Sequence, residues 1–94
     1  MTQKVGIAWY KKEQWERLRQ ISSDKNNLEF TFEEWLSNAE RTLIELRGQG
    51  LDVCKYDVDV EQLLEWCRSK KILVDGSARS KYVSEKLSFE NKLN

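Results

Sequence analysis

Trp15, Leu18 and Ile21 recur at three-residue steps with charged residues between them, so an amphipathic helix is expected from about Lys12 to Ser22. No capping side chain stands at its start. Before it, Val5 to Tyr10 is a short uncharged run of β-branched and aromatic residues, which predicts a strand. Ser22 to Glu29 is polar and holds the Ser, Asp and Asn residues that hydrogen-bond their own backbone in turns, and it reads as a loop.

A stronger helical pattern begins at Thr31. Thr31-Phe32-Glu33-Glu34 has the form of a capping box, in which the threonine hydroxyl accepts from the Glu34 amide, and Phe30 and Trp35 are spaced as a hydrophobic staple across it. Leu36, Ala39, Leu43 and Leu46 carry the helical period to Gly48, where a stop is expected, with Arg47 suited to the negative end of the dipole. Leu51 to Val58 predicts a second strand, with Leu51 and Val53 on one face and Cys54, Tyr56 and Val58 on the other. Asp59 is expected to cap a third helix with the apolar stripe Val60, Leu63, Leu64 and Cys67, stapled by Val58 against Leu63 and ending near Lys70 and Lys71. Ile72 to Gly76 is a connection, after which Ser77 is expected to cap a fourth helix carrying Ala78, Tyr82, Val83 and Leu87. Ser88 to Asn94 is expected to fray.

Two strands separated by two helices are normally joined by a crossover and lie parallel. A parallel pair alone is too small to stand in water, so the helices must supply most of the core. The pattern therefore predicts an α+β fold dominated by helix, in the order β-α-α-β-α-α. The alternative is an all-α bundle in which both strands are extended connections.

Length and charge narrow the classes. Ninety-four residues, 39% of them hydrophobic, suit a single domain spanning 1–94. Sixteen basic residues balance sixteen acidic ones, which removes the bulk electrostatic footprint of a nucleic-acid binder. The balance is uneven along the chain: residues 1–23 hold five basic against two acidic, 24–65 four against eleven, and 66–94 seven against three. The favoured reading is that the basic ends fold back on the acidic middle; the sharper one is a basic binding face. No apolar run is long enough to span a bilayer and no secretory leader precedes the two cysteines, so a reducing cytoplasm is expected.

Candidate chemistry is sparse. The chain has no histidine, which excludes imidazole catalysis and His-containing zinc sites. Asp57, Asp59 and Glu61 alternate as hard-cation ligands would, but a cap and a first-turn acid account for Asp59 and Glu61 equally well. Cys54 and Cys67 lack the Cys-x-x-Cys spacing of a redox pair and read as free core thiols. Of the four tryptophans, Trp15 and Trp35 lie on apolar stripes, Trp9 should be half covered, and Trp66 falls off the stripe of its helix, beside Arg68, Lys70 and Lys71.

Taken together, Trp9-Tyr10 with Glu13 and Trp15, Glu33-Glu34-Trp35, Val58-Asp59, Trp66-Cys67, Asp75-Gly76, Ala78-Arg79 and Tyr82 resemble the pattern of short uncharacterised bacterial single-domain proteins. The resemblance implies a bacterial, cytoplasmic, free-standing domain and no particular activity, substrate or ligand. The function expected is a small non-enzymatic protein-interaction module binding an unknown protein partner through Trp66, Arg68, Lys70, Lys71 and Arg79, without metal or cofactor. Two alternatives stand beside it: nucleic-acid binding by the basic ends, with Arg79 and Lys81 presented by the last helix, and a small enzyme using Cys54 or the carboxylates of Asp57, Asp59 and Glu61.

Overall fold

The computed structural model describes residues 4–92. Strand β1 (Lys4–Trp9) and strand β2 (Asp52–Asp57) pair in parallel, with Lys4 opposite Asp52 and Trp9 opposite Asp57. Helices α1 (Lys12–Ile21) and α2 (Phe32–Gly48) run between them, and α3 (Val60–Lys70) and α4 (Gly76–Lys92) follow β2. Among the described residues this is an α+β fold of four helices and a two-stranded sheet in the order β-α-α-β-α-α. The two extended segments form a hydrogen-bonded ladder, which separates the fold from an all-α bundle. A short 3-10 turn, Lys25–Asn27, sits inside the polar loop, where turn residues give no period to reveal it.

The two faces of the sheet are covered differently. On one, α4 lies so close to β1 that a Cβ placed on Gly6 would overlap Leu87 Cδ1 and stand 2.8 Å from Val83 Cγ1. On the other, the Trp9 ring meets Trp35 of α2 edge-on at 5.3 Å between centroids. Trp35 is the hub of an aromatic cluster, with Tyr10 at 5.4 Å, Trp15 at 5.4 Å and Phe32 at 5.5 Å. Aromatic pairs at these distances and tilts add roughly 0.5–1.5 kcal/mol each beyond the area they bury. Leu18, Val60, Leu63 and Cys67 are the most deeply buried side chains and join α1 to α3 beneath this cluster.

Local signals explain the helix ends. Thr31 Oγ1 accepts from the Glu34 amide at 3.1 Å, and Asp59 Oδ1 accepts from Glu61 and Gln62 at 2.9 and 3.2 Å. At α4 the cap is Asp75, whose Oδ1 accepts from the Ala78 amide at 2.9 Å, and not Ser77, which lies inside the first turn. An aspartate bonds an amide three residues on as readily as a serine does, so residue type alone does not favour Ser77. The staple before α2 also differs. Phe30 stays 73% exposed with Arg19 over its ring, and Phe32 makes the ring contact with Trp35 instead.

Both long exits are Schellman turns. After α2 the Gly50 amide donates to Arg47 O and the Leu51 amide to Leu46 O, with Gly50 at φ 87°. The stop is thus Gly50, and Gly48 is the last helical residue. After α3 the Lys71 amide donates to Arg68 O and the Ile72 amide to Cys67 O, with Lys71 in the left-handed region at φ 58°. Helix α4 runs through most of the segment from Ser88 expected to fray, as far as Lys92. Leu93 and Asn94 lie outside the described residues.

The charge asymmetry resolves as folding back. Lys12 meets Glu33 at 3.0 Å, Arg17 meets Glu61 at 2.8 Å, and Arg79 meets Asp24 at 2.7 Å, each joining a basic end to the acidic middle.

Candidate docking surface

The residues proposed from sequence as one binding patch are divided by the structure. Trp66 is half-buried, packed on Tyr82 of α4 at 5.4 Å between centroids. Its indole Nε1 donates to Glu85 Oε1 at 3.4 Å, and Lys70 Nζ stands 5.3 Å from its ring centroid. Lys70 also approaches Glu85 at 3.9 Å, so tryptophan, lysine and glutamate form one bracket between α3 and α4. Arg68 is exposed and lies 3.9 Å from Glu65 on its own helix. Lys71 is exposed and serves the α3 exit.

Arg79 belongs elsewhere. Its guanidinium donates to both Asp24 oxygens at 2.9 and 2.7 Å and to Ser22 Oγ at 3.3 Å. Asp24 Oδ2 also accepts from the Gly76 amide, and the Ser23 amide donates to Val74 O, so this knot fastens the loop after α1 to the start of α4. Arg79 and Asp24 side chains are only 12% and 19% exposed. The guanidinium holds the Asp24 carboxyl below its usual range, chiefly through the hydrogen bond it donates. Sequence spacing cannot show this, because the two partners are joined only by the fold.

Of the remaining chemical candidates, Asp59, Glu61 and Cys67 are tied into the fold, whereas Asp57 is exposed and Cys54 half-buried on β2. Asp59 caps α3, and Glu61 is hydrogen-bonded by Arg17, which lowers its pKa. Both cysteines are free; Cys67 is buried, and burial pushes its thiol up, away from the thiolate that nucleophilic chemistry needs. Among the described residues no group of three or more His, Cys, Asp or Glu is placed to hold a metal. None of their helices is long and apolar enough to cross a membrane. The Tyr10 phenol is pushed up to about 12 by burial, with Arg79 working against that and Asp24 with it.

Two hollows among the described residues flank α4. One hollow of about 550 Å³ is lined by Trp66, Lys70, Ile72, Ser80, Lys81, Ser84 and Glu85. Across the helix a second, of about 520 Å³, runs along four consecutive β1 residues, Val5 to Ala8, with Tyr10, Leu28, Trp35, Arg79 and Val83 around them and Ser80 and Ser84 shared with the first. The β1 hollow was not foreseen. A two-stranded sheet necessarily has two free edges, so a signal was present, but which edge stays open depends on where α2 and α4 lie. Comparison with protein-family models, with curated proteins and with solved structures finds no match to this chain.

Proposed function

We propose that this chain is a small non-enzymatic protein-interaction module, and that a segment of a partner protein docks alongside α4. One observation carries the reading: Asp59, Glu61, Cys67 and Arg79 are engaged in caps, ion pairs and core, while hollows of about 520 and 550 Å³ lie open on the two sides of one helix. Trp66 supports it further, because a half-buried indole with basic and acidic neighbours is the residue type that most often anchors an interface. Nucleic-acid binding draws less support, since Lys12, Arg17 and Arg79 spend their charge on acids of the chain itself.

The test is selection of a displayed random-peptide library on the immobilised protein, followed by titration of the selected peptides into isotope-labelled protein. The expected result is that amide shifts gather at Trp66, Ser80, Lys81 and Ser84 or at Val5 to Ala8. Selection that returns no binder, or shifts confined to the outer face of α2 around Ile44, overturns the reading.

A further inference from the structure

The β1 hollow has a feature that the Trp66 side lacks: its floor is unpaired backbone. The Val58 amide donates to Trp9 O at 3.0 Å, so Trp9 turns its peptide groups toward β2. In a parallel ladder both groups of a residue point the same way and alternate residues point oppositely. Val5 and Ile7 therefore face β2 with Trp9, and Gly6 and Ala8 direct their N–H and C=O out into the hollow. Among the described residues nothing donates to or accepts from those outward groups. The other edge of the sheet is treated differently. Arg47 of α2 donates from Nε and Nη2 to Val53 O at 3.3 and 3.1 Å, capping β2 on its outer side.

We propose that the outer edge of β1 accepts an extended segment of a partner protein as a third strand, lying between α4 and the Trp35 side of the sheet. This rests on the interaction-module reading and names its occupant. Strand addition supplies affinity through main-chain hydrogen bonds and specificity through alternate side-chain sites. Here the alternate sites differ in character. Val83, Ser80 and Ser84 of α4 border the Gly6 and Ala8 side, whereas Trp35 borders the side of Val5, Ile7 and Trp9. A fitting segment alternates apolar residues with small polar ones.

The hollow selects by backbone and side-chain alternation rather than by charge. Its one charged lining side chain, Arg79, is already met by Asp24, and the first amides of α4 are taken by Asp24 and Asp75. A lone extended segment needs only about 4.8 Å of width beside β1, and it brings no second folded copy of α4 that must be accommodated beside the first.

The probe is a synthetic peptide as long as β1, with valine at alternate positions and serine and aspartate between them. Titrated into the whole protein, it is expected to slow hydrogen exchange of the Gly6 and Ala8 amides and to leave the Ile7 and Trp9 amides as they were. N-methylation of the peptide at the residues whose N–H faces β1 is expected to weaken binding about tenfold or more, and methylation at the intervening residues to have little effect. Ala8→Pro removes an outward donor while leaving the ladder to β2 intact, and it is expected to abolish binding. If Ala8→Pro does not fold, the methylated peptides decide alone. Equal weakening at both methylation positions, or exchange protection at Gly6 and Ala8 from dimerisation without peptide, overturns strand addition. So does a library-selected peptide that moves only Trp66 and its neighbours, and that outcome leaves the interaction-module reading standing.

Discussion

Of the glycines, Gly6 has the tightest surroundings, where α4 packs on β1, and Gly6→Ala tests that packing directly. A Cβ there would overlap Leu87 Cδ1 and lie 2.8 Å from Val83 Cγ1. Both of those side chains are buried in the core, at 8% and 2% exposure, so neither can swing into solvent to make room. Relief requires α4 to lift or Leu87 to leave its rotamer, and overpacking of this kind costs roughly 1–3 kcal/mol. Against that stands the lower entropy of alanine in the unfolded chain, roughly 0.4–1 kcal/mol in favour of the variant. The steric term is the larger, and a net loss of about 1–2 kcal/mol is expected, lowering Tm by roughly 4–8 °C for each kcal/mol.

Chemical denaturation of wild type, Gly6→Ala, Leu87→Ala and the double variant separates the steric cause from a general loss. Leu87→Ala alone is expected to cost about 2–5 kcal/mol, and the double variant distinctly less than the sum, because the truncated side chain leaves room for the new methyl. Gly48→Ala is the control, since nothing lies within 4 Å of a Cβ at that position. It is expected to be neutral or stabilising by up to about 1 kcal/mol. Gly6→Ala at wild-type stability, or strictly additive costs in the double variant, would refute the packing of α4 on β1 described above.

Lys71→Gly removes the strain of a side chain in the left-handed region at φ 58° and is expected to stabilise the fold by about 1 kcal/mol, read as a higher denaturant midpoint with unchanged slope. Asp24→Asn breaks the charged pair with Arg79 and is expected to cost about 2 kcal/mol at neutral pH. Because the folded-state carboxyl titrates below its ordinary 3.8, the pair's contribution is present above that value and fades as pH falls beneath it. The stability difference between Asp24→Asn and wild type should therefore shrink in acid, and a difference independent of pH would count against the pairing. Tyr10 behaves oppositely. Its neutral phenol is favoured by the fold, so its contribution holds below pH 10 and is lost as pH rises toward about 12. Phenolate absorbance should show a late phase that Tyr10→Phe removes, and its persistence in that variant would assign it elsewhere.

Most of the elements were legible because each was marked locally and redundantly. Thr31 and Asp59 announce helix starts by side-chain type, and Trp15 with Leu18, or Leu63 with Cys67, mark faces by spacing alone. Where a residue two positions away serves the same purpose, the local reading failed, as at Ser77 against Asp75 and at Gly48 against Gly50. Those ambiguities are settled by the position of the neighbouring element, which the local sequence does not contain. Arg79 is the sharpest case. Its sequence neighbours suggested a basic surface, but its partner Asp24 is brought to it only when the loop after α1 reaches the start of α4.

That contrast bears on where function can reside in a domain this small. Ion pairs reaching from the chain ends to the middle, and caps at three helix starts, give Arg17, Arg79, Asp59 and Glu61 structural roles. The backbone is less fully used. A sheet of two strands satisfies one side of each, and the fold covers β2 with Arg47 while leaving Gly6 and Ala8 of β1 open in a walled groove. Exposed strand edges ordinarily invite aggregation, and proteins blunt them with charge, bulges or overlying structure. Here the outward residues are glycine and alanine, whose small side chains leave the peptide groups accessible. The same close packing of α4 that makes Gly6 necessary builds one wall of that groove. A substitution that lifts α4, such as Gly6→Ala, should thus weaken capture of an alternating peptide as well as the fold, whereas Lys71→Gly should stabilise the fold and leave capture unchanged.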